Sequence, residues 1–431
     1  MNNVRHFVAV LSAVYTFRNQ LRLASFVLLC IFTIASMRGE DERQQTGSSW
    51  ILPDSDAAKV GSLCLTPPPG NITADLSPNL PMSLSPASSD IGRNSEDDKA
   101  EWLVAPVPFL KPTFGWGVGL AAGCIYQPLR DQVDAPAWVS GVGGFYTQNK
   151  SWGIGGGHKM NLDHDNWRLS FGGGYADLYY DFYGIGSDAG NSDHAIALNQ
   201  QVSGGKIEAL RRIARDWYGG IGYLYANSRT RLDSASSSLP QSLGINANEL
   251  QANIGAMGLH LQRDSRDSQF FPTRGALLDV TANLFDPAFG SDFTFQAYEL
   301  DCNQYLCLAT NHVLALRGYG RFTSGRVPYF ALCSFGSKGD LRGYTPGRYR
   351  DKMMLAAQAE YRWRITERLG AVAFAGIGGV APQFNAFDTL LPSGGVGVRY
   401  VIAKRNNISL RFDTAWGKNE HAFYFGIGEA F

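Results

Sequence analysis

The chain has no internal run approaching the ~20 continuous apolar residues of a membrane-spanning helix, although 45% of its 431 residues are hydrophobic. It has no surplus of either charge, with 38 Lys and Arg against 38 Asp and Glu. That balance gives no support to a nucleic-acid surface. Cysteines are few, six, with no CxxC or His/Cys ligand spacing, so no metal centre is expected. Cys302 and Cys307 would point to opposite faces of one strand and cannot pair with each other. The glycine run Gly153-Ile154-Gly155-Gly156-Gly157 lacks the following Lys-Ser/Thr and helix of a phosphate loop. Asp163-His164-Asp165 reads as a solvated loop tip. The seven histidines sit in no Ser-His-Asp pattern, which leaves no catalytic residue to name and a lipase as a remote alternative. No cofactor is expected.

What is abundant is glycine, 49 residues, and aromatics, 12%. The last nine residues place Phe423, Phe425, Ile427 and Phe431 at period two with small or polar residues mostly between them. A strand alternates its side chains between two faces, so this segment has one greasy and one small, polar face. The same alternation runs from about Pro106 to the end. A soluble sandwich would also use such a strand, but recurrence over so much chain favours a transmembrane barrel with lipid outside and a polar lumen inside. Upstream, Arg5, Arg18 and Arg22 precede an apolar run from Leu23 to Ala35, the length of a secretory h-region. The expected organisation is a signal peptide over 1–36, a flexible Ser/Pro-rich periplasmic segment over 37–103, and a barrel over 104–431.

The pattern predicts an all-β fold: a transmembrane antiparallel barrel of about sixteen strands, the first at 116–128, the last at 420–431, with 166–176 and 178–183 as the fourth and fifth. Even-to-odd joints are short, as at Gln148-Asn149-Lys150 and Lys404-Arg405. The long joints, 184–198, 229–251, 325–352 and 381–391, are all odd-to-even. Short periplasmic turns and long outer loops are what bacterial barrels show. On the twelfth strand Tyr361, Trp363 and Ile365 would face lipid, and Gln358, Glu360, Arg362 and Arg364 the lumen. On the fifteenth, Phe412 and Trp416 alternate with Ser409, Arg411 and Asp413. Charges held to one face are hard to place in a dry sandwich core.

Three motifs go further. Leu341-Arg342-Gly343-Tyr344 falls in the 325–352 joint, the sixth outer loop. Phe271-Pro272-Thr273-Arg274-Gly275 follows the charged run Arg263 to Asp267. Phe423-x-Phe425-x-Ile427-Gly428-x-x-Phe431 ends the chain. Together with Gly397-Val398-Arg399-Tyr400 and Arg411-Phe412-Asp413, they resemble the BamA/TamA family of outer-membrane assembly barrels over about 104–431. The resemblance implies a bacterial outer-membrane location and a sixth loop folded into the lumen. It also implies a motif arginine, Arg342, paired with acids on the twelfth and thirteenth strands. Glu360 matches the first acid. The second is missing, since Phe374-Ala375-Gly376-Ile377-Gly378 stands where the family has Phe-x-Asp-x-Gly. Arg399, Arg411 and Asp413 are expected as lumenal support, and the final motif as a sorting signal with Phe431 on the lipid-facing register. The family's POTRA repeats find no counterpart in 37–100, which has the wrong composition.

The function implied is assistance to the insertion or translocation of outer-membrane or surface proteins. Its partners would be outer-membrane lipid, unfolded client proteins and a periplasmic partner, with no nucleic acid. A passive channel or structural barrel without insertase activity is the alternative.

Overall fold

A computed structural model describes residues 101–431 apart from 112–114, 127, 130–137, 192–194, 233–243, 269–270, 337–339 and 404–406. The expected signal peptide and nearly all of the Ser/Pro-rich segment lie outside the described residues. The first barrel half comprises β1 (Glu101–Lys111), β2 (Gly115–Tyr126), β3 (Trp138–Thr147), β4 (Trp152–Leu162), β5 (Trp167–Phe182), β6 (Ile196–Ala214), β7 (Trp217–Leu232) and β8 (Gln251–Asp264). Next come β9 (Gly275–Phe285), β10 (Phe295–Ala309) and β11 (His312–Gly325). A loop then carries two short strands, β12 (Cys333–Ser334) and β13 (Arg350–Asp351). The wall resumes with β14 (Met353–Arg364), β15 (Leu369–Ala381), β16 (Leu391–Ala403), β17 (Ile408–Gly417) and β18 (Glu420–Ile427).

Sixteen of these strands form one antiparallel sheet in chain order, β11 pairing directly with β14 across the loop. The sheet curls until β18 lies alongside β1. No ladder joins those two strands among the described residues, so the barrel is not closed. No helix among the described residues is long and apolar enough to cross a membrane. The strands do so by alternation: Tyr361, Trp363, Val396, Val398, Phe412 and Trp416 stand exposed on the outer face. Glu360, Arg362, Arg399 and Asp413, between them, are buried inside. Outward aromatics mark both ends of the wall, Trp116, Tyr146 and Trp152 at the long-loop end and Trp102, Trp167 and Trp363 at the other.

The sixteen strands are not the sixteen the sequence predicts. β1 stands before the expected first strand, and it carries Pro106 and Pro108, which an edge strand tolerates. The expected fourth and fifth strands are one, β5. Asp177, at the expected joint between them, sits on its outer face and accepts a hydrogen bond from Gln201 on β6 (3.0 Å). The two corrections cancel in number from the sixth strand onward. They also move the 148–150 turn to the long-loop end. The cysteines described, Cys124, Cys302, Cys307 and Cys333, are all free.

The interior has two zones. Towards the short-turn end it is charged: Glu208 holds Lys206 (2.6 Å) and His260 (3.2 Å), and Asp301 holds Arg317 (2.8 Å). Towards the long-loop end of β5–β10, inward positions are apolar as well. Phe182, Leu198, Leu224, Ile254, Phe285 and Phe295 form one buried cluster there.

Candidate functional site

The loop over 326–352 enters the barrel and meets both zones of the wall. Its first part buries Tyr329 and Phe330 in the apolar cluster of β5–β10. The Tyr329 hydroxyl donates to Thr230 (2.7 Å), and its backbone N–H donates to the Glu249 carboxylate (2.8 Å). Phe182 meets the Tyr329 ring edge-on at 5.4 Å.

The second part carries Leu341-Arg342-Gly343-Tyr344 to the opposite wall, β14–β18. Arg342 is 2% exposed. Its guanidinium donates to Glu360 on β14 (2.6 Å), Asp413 on β17 (2.7 Å) and Gln358 on β14 (3.2 Å). Its Cζ also lies over the Phe374 ring of β15, 3.4 Å from the centroid. Glu360 and Asp413 are fully buried, and each holds a second arginine. Arg362 donates to Glu360 (2.8 Å), and Arg399 on β16 donates to Asp413. Arg399 also reaches Glu429 (2.8 Å), while Arg411 stands 3.9 Å from Asp413. Alternating cations and carboxylates leave no member of this set without an opposite charge, the condition on which buried ions are tolerated.

Asp413 therefore stands where the sequence finds an acid missing. The thirteenth barrel strand cannot supply one at 376: a Cβ on Gly376 would lie 2.7 Å from the Leu341 side chain, which fills that space. The carboxylate comes instead from β17, two strands further round. Glycines along this wall let the loop come close. Gly343, at φ +106, packs its Cα side against the backbone of Trp416 and Gly417, where a side chain would collide at 2.8 Å. Gly343 N–H donates to Tyr424 (2.8 Å), and Thr345 N–H to Glu420 (2.7 Å). The Tyr344 hydroxyl donates to the Pro392 carbonyl (2.5 Å) and accepts from Lys418 N–H (3.0 Å). Burial pushes that hydroxyl up to about 12.

The final motif divides. Phe423 and Phe425 face outward as expected, while the Ile427 side chain lies outside the described residues. Phe431 does not follow the lipid-facing register. β18 stops at Ile427, Gly428 takes φ +82, and the tail turns inward. Glu429 there meets Arg399, the Phe431 carbonyl accepts from Arg362 (2.8 Å), and the Phe431 ring lies 5.6 Å from Arg362 and 5.7 Å from Arg317. Sequence reasoning missed Gln358, Phe374 and Glu429 as members of this site, and took Asp413 only as support. No group of His, Cys, Asp and Glu suited to a metal occurs among the described residues.

A sequence model of the Omp85 superfamily domain matches residues 158–431, well over half of the chain. No curated protein matches significantly. Among solved structures, BamA from Haemophilus ducreyi lacking POTRA domains 1–3 superposes with TM-score 0.54 at 16% identity, covering 77% of this chain and 70% of that one. CdiB from Acinetobacter baumannii gives 0.52 at 14% identity, covering 76% and 59%. CdiB from Escherichia coli gives 0.54 at 11% identity, covering 80% and 66%. The chain thus spans less than two thirds of each CdiB. At such identities the likeness establishes the fold.

Proposed function

The chain belongs to the Omp85 superfamily of outer-membrane barrels, and from that premise we propose that it assists insertion or translocation of outer-membrane or surface proteins. In this reading loop 326–352 is a plug latched by Arg342, and the open margin between β1 and β18 admits client segments sideways. The observation that carries it is the pairing of a firmly docked plug with an unjoined seam: Arg342 sits between two fully buried carboxylates while the wall itself is not closed. A pore built for solutes has the opposite need, an open lumen and a sealed wall. Edge strands supply the physics, since unpaired N–H and C=O groups bind an incoming strand. Leu341, Gly343 and Tyr344 then seat the latch, Arg399, Arg411 and Asp413 brace it, and the final motif directs the barrel's own assembly.

Depletion followed by an inventory of outer-membrane proteins tests the reading, with selective loss of other barrels as the expected result. The passive channel is separated from it by deleting 326–352. If the deletion raises conductance while depletion leaves the inventory unchanged, the insertion reading fails and the channel stands.

A further inference from the structure

β1 pairs with β2 without a break, from Glu101 opposite Ile125 to Lys111 opposite Gly115, with Pro106 facing Leu120 and Pro108 facing Val118. In an antiparallel ladder, alternate residues turn N–H and C=O towards the same neighbour. A proline turned towards β2 would interrupt that ladder, because its nitrogen carries no hydrogen. The unbroken pairing therefore puts both proline nitrogens on the other side of β1, where β18 runs. Residues 102, 104, 106, 108 and 110 share that side, so two adjacent donors of the five are missing. Their carbonyls remain as acceptors. β18, Glu420–Ile427, contains no proline and keeps every seam-facing donor. Zipping β1 to β18 would leave β18 carbonyls unmatched at the height of the lipid, where no water replaces the absent donor.

We propose that Pro106 and Pro108 hold the seam unzipped and make it one-sided: an incoming extended strand completes its ladder on the β18 edge, and the β1 edge is blunted. The partner that fits is an amphipathic strand of an unfolded barrel protein. Its identity as a client rests on the function proposed above, whereas the assignment of the two edges does not.

Hydrogen–deuterium exchange on the detergent-folded full chain reads the seam directly. Seam-side amides of β18 exchange freely in the natural chain and slow by about tenfold or more in Pro106→Ala/Pro108→Ala. Equal exchange in both chains overturns the proposal. A second pair of variants does not depend on that one folding. Val104→Pro removes a seam-side donor and leaves the heat-modifiable folded band unchanged, whereas Val107→Pro removes a donor to β2 and weakens it. Equal loss from both overturns the assignment of sides. A photoreactive peptide carrying residues 101–111 with both prolines replaced by alanine should label β18 in the natural chain, and labelling of β1 overturns the one-sidedness. If exchange and labelling come out as expected while the depletion inventory is unchanged, the insertion reading falls and the seam assignment stands.

Discussion

Tyr329 and Phe330 sink the start of loop 326–352 among apolar side chains of β5–β10, whereas Arg342, further along the same loop, is fixed by ions on β14–β17. The apolar contact is non-directional and holds the loop inside without dictating its register. The ionic contact demands one arrangement, since each misplaced charge would be left buried and unpaired. In the proposed role, a plug that stays in yet can leave draws on both kinds. Hydrophobic burial gives retention, and the charge set gives a single docked state that is lost as a unit.

The largest separation between the two docks should come from Asp413→Ala. It removes the carboxylate shared by Arg342 and Arg399 and leaves two buried guanidiniums facing each other, at a cost on the order of 3–5 kcal/mol. The expected outcome is a lower heat-modifiable transition and proteolysis within 326–352. A variant as resistant as the parent would show that the ionic dock does not hold the loop.

Phe330→Ala attacks the other dock. Phe330 is 2% exposed, and its truncation opens a cavity costing about 3 kcal/mol. Because no charge is stranded, added salt should leave this defect unchanged, while in the Asp413 variant added chloride can bind between the two stranded guanidiniums and offset part of the defect. If both respond alike to salt, the division into two kinds of dock is wrong.

How much of this was legible in the sequence differs between the docks. Arg342 and Glu360 were readable because each sits in a local pattern, a loop motif or a polar position on an alternating strand. Asp413 as Arg342's second partner was not readable: it depends on two strands of curvature and on Leu341 claiming the space at Gly376. The apolar dock was hidden for another reason. Leu198, Leu224 and Ile254 face inward on strands whose lower inward positions are polar, so one period carries two interiors. The tail left a clue that the register argument passed over. Glu429 falls on the same parity as Phe423, Phe425 and Ile427, and a carboxylate there cannot face lipid, so the strand has to end at Gly428. β1 is hard to see because its pattern is interrupted by Pro106 and Pro108, proline being a residue that central strands exclude and edge strands tolerate.

A smaller effect is expected from Arg342→Ala, about 2 kcal/mol, because Glu360 keeps Arg362 and Asp413 keeps Arg399. Glu360→Gln should act in the same direction more weakly. In the double variant the damage should fall short of the sum by about 1 kcal/mol, the mark of direct coupling. Strict additivity in thermal unfolding would mean that the 2.6 Å contact between them does not latch the loop.

The smallest effect should come from the tail. Glu429→Gln leaves the neutral side chain able to accept from Arg399 but removes a charge from between Arg399 and Arg362, at about 1 kcal/mol. Phe431→Ala should add little to it, since the ring only borders Arg362 and Arg317 at more than 5 Å. The ionic dock should nonetheless register the change and the apolar dock should not. Exchange should quicken at the Gly343 amide, which reaches Tyr424 on the strand leading into the tail, and stay constant at the Tyr329 amide, held by Glu249. Quickening at both amides would mean that the two docks open as one, and constancy at both that the tail lies outside the latch.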